Sequence, residues 1–159
     1  MRRVELDAVV PDELAAVVFE NVVRFDRYPD LTPHVQSAVV HRTLPDVEGG
    51  SSWELHFRSG LLRWSERERF DADALRIEFE QTTGDFDSFT GCWQLRQDGS
   101  ACAVHFQADF DFGIPSLEGI LDPIAERVIK ETVAWAVVGM FDGAEVTADI
   151  GGTPSAKAS

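Results

Sequence analysis

Phe86 to Phe112 reads FDSFTGCWQLRQDGSACAVHFQADFDF, two alternating runs flanking QDGS (97–100), which is the pattern of an antiparallel β-hairpin. Pairing Arg96 with Ala101 across the turn sets Leu95 opposite Cys102, Trp93 opposite Val104, Gly91 opposite Phe106 and Phe89 opposite Ala108. Large residues then face small ones on a single apolar surface, as cross-strand packing requires. The other surface sets Cys92 against His105 and Gln94 against Ala103 and reads as the solvent side. A glycine opposite a phenylalanine within the apolar face leaves room for a bend or for a bound molecule. Cys92 and Cys102 fall on opposite faces in this register and are read as free thiols.

Working outward, residues 35–43, 51–58, 61–70 and 75–82 read as further strands, joined by the turn sequences VEGG, RSG and DADA. Consecutive strands with short turns make a meander, hence an antiparallel sheet. Val4, Leu6 and Ala8 alternate with Arg3, Glu5 and Asp7 and describe a first strand with one buried face. Pro11 opens a helical stretch with Asp12 and Glu13 in its first turn, continuing through LAAVVFENVVRF (14–25) as one bent helix or two short ones. YPDLTP (28–33) breaks it, because proline neither continues a helix nor favours one in the residue before. After GIPS (113–116) a long helical pattern runs from about Asp122, as N-cap with Pro123 in the first helical position, to about Val146. It is apolar on more than one side and must be heavily buried.

The expected fold is α+β: a curved antiparallel sheet of about seven strands wrapped around one long C-terminal helix, with short helices after the first strand. A sheet that wraps the helix without collapsing on it leaves a cavity between them. One ligand-binding domain spans 1–147, and 148–159, ending in GGTPSAKAS, reads as a disordered tail.

Composition narrows the function. The chain has 159 residues, 44% hydrophobic, with a formal net charge of -14, so it repels nucleic-acid backbones and anionic membranes over most of its surface. No apolar run approaches the roughly 18 residues that read as a membrane span, and MRRVELDAVVPDEL lacks the apolar block of a signal peptide. The expectation is a cytoplasmic protein with neither a nucleic-acid partner nor membrane insertion. His34, His41, His56 and His105 are not grouped at metal-ligand spacings.

The element order, with YPDLTPHVQSA, RWSERERFDADALRIEFEQTTGDFDSFTGCWQL and VHFQADFDFGIP, resembles the helix-grip fold of the START-related, birch-pollen-allergen-like superfamily, in its polyketide cyclase/aromatase branch. The resemblance implies a pocket that receives a poly-β-ketone chain from an acyl carrier protein, closes it by aldol condensation and dehydrates it without a metal or redox cofactor. Carrier proteins are typically acidic, so docking would fall to a local basic patch, for which Arg2, Arg3, Arg24 and Arg27 are the candidates.

The charges that could serve such chemistry lie in LLRWSERERF (61–70). One face of that strand holds Leu62, Trp64, Glu66, Glu68 and Phe70; the other holds Leu61, Arg63, Ser65, Arg67 and Arg69. A loop at Ser59-Gly60 sets Leu62 opposite Phe57, Trp64 opposite Leu55 and Glu66 opposite Trp53, while Phe70 against Ile77 sets Arg69 against Glu78 and Arg67 against Glu80. That register turns Trp64, Phe70 and the glutamates inward, where a carboxyl with a raised pKa can act as general acid or base. The resemblance implies instead a cavity-lining arginine, matching Arg69 or Arg67, that would stabilise an oxyanion. A bulge would reconcile the two, and the alternatives stay open.

His34, beside Pro33 in the loop near the expected mouth, is a proton-shuttle candidate. A pocket tyrosine implied by the resemblance is missing, Val35 being the nearest match. Trp53, Trp64, Phe79, Phe89, Trp93 and Phe106 are candidate pocket walls. Glu131 and Trp135 join them through the stripe Leu121, Ile124, Val128, Glu131, Trp135, Val138. Two functions compete: a polyketide cyclase/dehydratase, and a carrier of a quinone, lipid or other hydrophobic molecule. The charge on one strand favours the enzyme, since a carrier gains little by burying it; the lack of a recognisable acid–base triad favours the carrier.

Overall fold

The computed structural model describes residues 1–150. Eight antiparallel strands form one sheet: β1 (Arg2–Val10), β2 (Val35–Arg42), β3 (Glu48–Phe57), β4 (Gly60–Asp71), β5 (Arg76–Gly84), β6 (Ser88–Asp98), β7 (Ala101–Asp111) and β8 (Glu145–Ile150), in the order β2-β3-β4-β5-β6-β7-β1-β8. Helices α1 (Ala15–Val22) and α2 (Tyr28–Leu31) fill the connection from β1 to β2, with a 3₁₀ turn at Phe25–Arg27, and the long α3 (Glu118–Met140) lies against the sheet. The architecture is the expected α+β sheet around a helix, with an eighth strand added.

That strand replaces the expected end of the helix. α3 stops at Met140, the chain turns at Gly143 with φ +80°, and Glu145–Ile150 pairs with β1. Continuing the helix to Val146 would have left the outer edge of β1 unpaired. Of the tail expected from 148 onward, residues 151–159 lie outside the described residues. At its other end α3 begins at Glu118, so Asp122 is not the N-cap and Pro123 sits inside the helix. The proline forfeits one bond, to the carbonyl of Gly119, and that residue is exposed to water.

The early helices also differ from the sequence reading. Pro11 and Asp12 form a turn, Asp12 having φ +54°, and α1 starts only at Ala15. The break comes at Val23–Arg24, and YPDL, taken above as the breaker, is itself the short helix α2 with Pro29 in its first turn, where a missing N–H costs nothing.

Two hairpins differ from the expected register: the β6–β7 loop shortens from four residues to two, and the β3–β4 loop keeps two residues but begins one residue earlier. β6 and β7 turn at Gly99-Ser100, with Gly99 at φ +61°, so Trp93 pairs with Phe106, Gly91 with Ala108 and Phe89 with Phe110. β3 and β4 turn at Arg58-Ser59, which pairs Trp53 with Trp64, Leu55 with Leu62 and Ser51 with Glu66. Each shift is by two residues, an even number, so no side chain changes face. The ring packed over Gly91 is Phe79 of β5 and not Phe106. Cys92 lies on the outer face yet is buried, and both cysteines are free.

Candidate functional site

β4 answers its own question by strict alternation. Leu62, Trp64, Glu66, Glu68 and Phe70 are buried, and Arg63, Arg67 and Arg69 are exposed. Burying Leu62, Trp64 and Phe70 is worth roughly 1.5–3 kcal/mol each, and the period of two carries both glutamates inward with them. The pairing with β5 slips between Ser65 and Glu66, where β5 has the extra residue and β4 stays regular. The slip therefore reorients no residue of β4. Arg67 donates to Glu80 at 2.6 Å on the outer surface, and Arg69 stands opposite Glu78. Neither arginine reaches the interior.

The interior they would have served is a cavity between sheet and α3. Its wall is aromatic: Phe25, Tyr28, Trp53, Trp64, Phe79, Phe89, Trp93 and Phe106, with Leu55 from β3 and Ile129, Thr132 and Val133 from α3. All six aromatic residues of the sheet expected there line it. The only carboxyl among the lining residues is Glu66. The cavity measures about 60 Å³, well below the ~150 Å³ that admits a benzene ring. Any ring-bearing guest must displace a wall residue.

Behind Glu66 the strands build a polar strip. Trp64 Nε1 donates to Glu66 Oε1 at 2.8 Å, Trp53 Nε1 donates to Ser51 Oγ at 2.8 Å, and Ser51 Oγ donates to Glu68 Oε2 at 2.6 Å. Glu68 is 2% exposed and its Oε1 has no hydrogen-bond partner. Burial pushes the Glu66 carboxyl well above the ordinary carboxylate range, and the neighbouring Glu68 pushes it further. Two carboxyls in one apolar interior resist ionising together, and the Glu66 carboxyl, hydrogen-bonded to Glu68, carries the raised pKa. The hydroxyls of the wall are spent on the protein: Tyr28 donates its hydroxyl to Val22 O at 2.8 Å and Thr132 to Val128 O at 2.7 Å. Burial raises the Tyr28 pKa, so its phenol stays neutral.

His34, Glu131 and Trp135 are brought together, but outside the cavity. His34 Nε2 lies 2.7 Å from Glu131 Oε1, and its ring stacks on Trp135 with centroids 5.2 Å apart and planes 4° from parallel. None of the three lines the pocket, because the stripe of α3 that faces it runs through Ile129, Thr132 and Val133, one residue out of phase with the expected stripe. Of the proposed docking cations, Arg2 is paired with Glu126 at 2.7 Å and Arg3 with Asp109 at 2.9 Å, which leaves Arg24 and Arg27.

Sequence reasoning missed Phe25 and Tyr28 as wall, because it took YPDL for a helix breaker. The tyrosine sought near Val35 is supplied from this segment, with its hydroxyl already committed. It also passed over Thr132 and Val133, whose small side chains are what make room beneath α3; small residues on one face of an otherwise bulky helix were the available signal.

Among the described residues no helix is long and apolar enough to cross a membrane. In comparisons with known proteins, no curated protein matches the sequence. Solved structures match in fold. A protein of Thermus thermophilus superposes with a TM-score of 0.76 at 22% identity, covering 87% of this chain and 94% of its own. The Zhui aromatase/cyclase of a Streptomyces species gives 0.72 at 18%, covering 87% and 92%. A START superfamily protein of Mycobacterium smegmatis gives 0.70 at 14%, covering 87% and 97%. A family profile described as polyketide cyclase / dehydrase and lipid transport matches residues 14–136, most of the chain. By that match, and with the helix-grip sheet and its aromatic cavity, the chain belongs to the polyketide cyclase/dehydrase and lipid-transport family.

Proposed function

We propose that this chain is a polyketide-type cyclase/dehydratase that works by proton transfer alone, with Glu66 as general acid and base. The observation that carries the reading is a carboxyl with a raised pKa set into the wall of an otherwise apolar, aromatic cavity. For the dehydration step of a β-hydroxy ketone, Glu66 gives its proton to the departing hydroxyl, the carbon–oxygen bond breaks and water leaves. The carboxylate so formed takes the proton from the α-carbon as the double bond closes, which restores the acid. Glu68 does not line the cavity; it is a positioning residue whose hydrogen bond and charge raise the pKa of Glu66. Delivery of the substrate by an acyl carrier protein would fall to the surface around Arg24 and Arg27.

The test uses the β-hydroxy ketone formed from acetone and benzaldehyde, whose dehydration to benzylideneacetone is followed by ultraviolet absorbance. Glu66→Gln keeps the shape and removes the acid, and should lower turnover roughly 10²–10⁴-fold. Glu68→Gln removes the neighbouring charge and so lowers the Glu66 pKa. The loss of activity on the alkaline side, where Glu66 ionises, should then move to lower pH. Turnover unaffected by either change removes Glu66 from the chemistry. A second reading, carriage of a hydrophobic molecule without reaction, is favoured by the number of wall groups already spent on the protein; it predicts ligand binding with no turnover in the parent.

A further inference from the structure

The four indole nitrogens meet different fates. Trp53 Nε1 donates to Ser51 and Trp64 Nε1 to Glu66, so both are spent within the sheet. Trp135 Nε1 has no partner, but it is sealed in protein outside the cavity. Trp93 is the remaining case. It is 4% exposed and lines the cavity, with its ring held edge-on by Phe106 at 5.0 Å between centroids and 70° between planes. Its Nε1 takes no hydrogen bond among the described residues and is not sealed in as that of Trp135 is, so the N–H opens onto the cavity. A donor left unpaired away from water is costly, and a phenylalanine would fill the same stretch of wall without that cost. The N–H is set for an acceptor that the cavity brings in.

The sheet register says which acceptor. Phe70, four residues on from Glu66, pairs with Ile77, and Ile77 pairs with Trp93. Trp93 thus stands two strands across from Glu66 and two inward-facing positions along. Strands about 4.8 Å apart and a rise of about 3.3 Å per residue put the two Cα positions roughly 16 Å apart on a flat sheet. Curvature draws the side chains together, but Phe79 occupies the inward position between them, opposite Glu68 on one side and Gly91 on the other. The two oxygens of a β-hydroxy ketone sit on carbons separated by a single carbon, too close together to reach both groups. While Glu66 serves the reacting hydroxyl and α-carbon, Trp93 meets a further oxygen toward the other end of the same molecule.

We propose that the indole N–H of Trp93 reads a second, remote oxygen, so that the cavity selects flat molecules carrying a carbonyl or hydroxyl at the end away from the reacting β-hydroxy ketone. This rests on the role given to Glu66 above and names the substrate class of that site. A molecule with only the reacting pair of oxygens still meets Glu66 but leaves the Trp93 N–H unpaired, and binds more weakly for it.

Two dehydrated products test this without turnover: benzylideneacetone bearing a para-acetyl group, and benzylideneacetone bearing a para-isopropyl group. The two substituents match in shape and in number of heavy atoms, and only the acetyl carries an oxygen, so the cost of displacing wall residues largely cancels between them. Affinity is read by titration calorimetry and the Trp93 indole N–H by its proton resonance. The acetyl compound should move that resonance downfield and the isopropyl compound should not. Trp93→Phe keeps an aromatic ring and removes the N–H, and the ratio of acetyl to isopropyl affinity should fall roughly tenfold, the margin of one hydrogen bond. Glu66→Gln, which lowers turnover under the proposed function, should leave that ratio as in the parent, so the two claims fail separately. Should Trp93→Phe not fold, the resonance in the parent protein decides alone. A ratio unchanged by Trp93→Phe, or a Trp93 N–H resonance that responds alike to both compounds, overturns the proposal.

Discussion

Gly91→Ala probes the join between fold and cavity. A Cβ at residue 91 would lie 2.4 Å from Phe79 Cζ, 2.4 Å from the backbone oxygen of Gln107 and 3.0 Å from Ala108 Cα. Carbon pairs rest at about 3.5–4.0 Å, so the added methyl overlaps its neighbours by roughly an ångström. The phenylalanine ring can swing aside, but the Gln107 carbonyl belongs to the β6–β7 ladder and cannot move without disturbing it. Overpacking of this kind costs about 1–3 kcal/mol, and the backbone clash places it at the upper end. Replacing a strand glycine gains back about 0.5–1 kcal/mol of chain entropy. The net loss is about 2 kcal/mol, which at about 2–4 °C per kcal/mol for a domain of this size lowers Tm by about 4–8 °C in a calorimetric scan. Phe79, displaced toward the cavity it lines, should also lower turnover of the β-hydroxy ketone. A variant as stable as the parent would show that Phe79 does not rest on Gly91, and the β5–β6 register would be wrong with it.

Two further outcomes follow from the placement of charge. Glu66 keeps its proton in the folded protein at a pH where the unfolded chain has lost it, so stability should fall as pH rises from the ordinary carboxylate range through the raised pKa; Glu66→Gln should flatten that decline in urea titrations, and an unchanged slope would refute a buried, raised Glu66. Arg67→Ala, Arg69→Ala and His34→Ala each alter groups outside the cavity, so each should leave turnover of the β-hydroxy ketone unchanged, with the two arginine changes costing no more than about 0.5 kcal/mol of stability; a loss of turnover of roughly tenfold or more in either arginine variant would return that side chain to the site.

The strands were legible because a period of two survives errors of register. Both hairpins mentioned above pair two residues away from the register their sequences suggested, yet Trp53, Trp64, Trp93 and Phe106 kept the faces assigned to them. The helix was less forgiving. Along α3 a one-residue error of phase is a rotation of 100°, enough to exchange Ile129, Thr132 and Val133 for Glu131 and Trp135. α3 is buried on several sides, Lys130 and Glu126 included, so its sequence offers no clean polar face from which to set the phase. β8 was illegible for a related reason: Glu145–Ile150 is a six-residue strand that follows an apolar helix directly, and it is recognisable only once the free edge of β1 is known. The site was half legible, since the sequence offers the inward carboxyl and the inward arginine as equals and only the pairing of β4 with both neighbours separates them.

That pairing sets the chemical sign of the cavity. Shifted by one residue, LLRWSERERF would present Arg63, Arg67 and Arg69 inward and build a cavity that stabilises anions. As it stands, Trp64 is locked against Trp53 in a parallel stack with centroids 5.9 Å apart, and Phe70 occupies the space over Gly49, where a Cβ would come within 2.5 Å of its ring. Both contacts are lost in the alternative, along with the burial of Leu62, and only Leu61 is apolar on the other face. The aromatic anchors at the ends of the segment therefore hold Glu66 and Glu68 inside against their preference for water. What the strand gains in packing it spends on two buried carboxyls, and neutralising one of them with a shared proton is the least costly way to keep both. A carboxyl with a raised pKa inside an aromatic cavity is the direct consequence of where two large side chains fall in a ten-residue alternation.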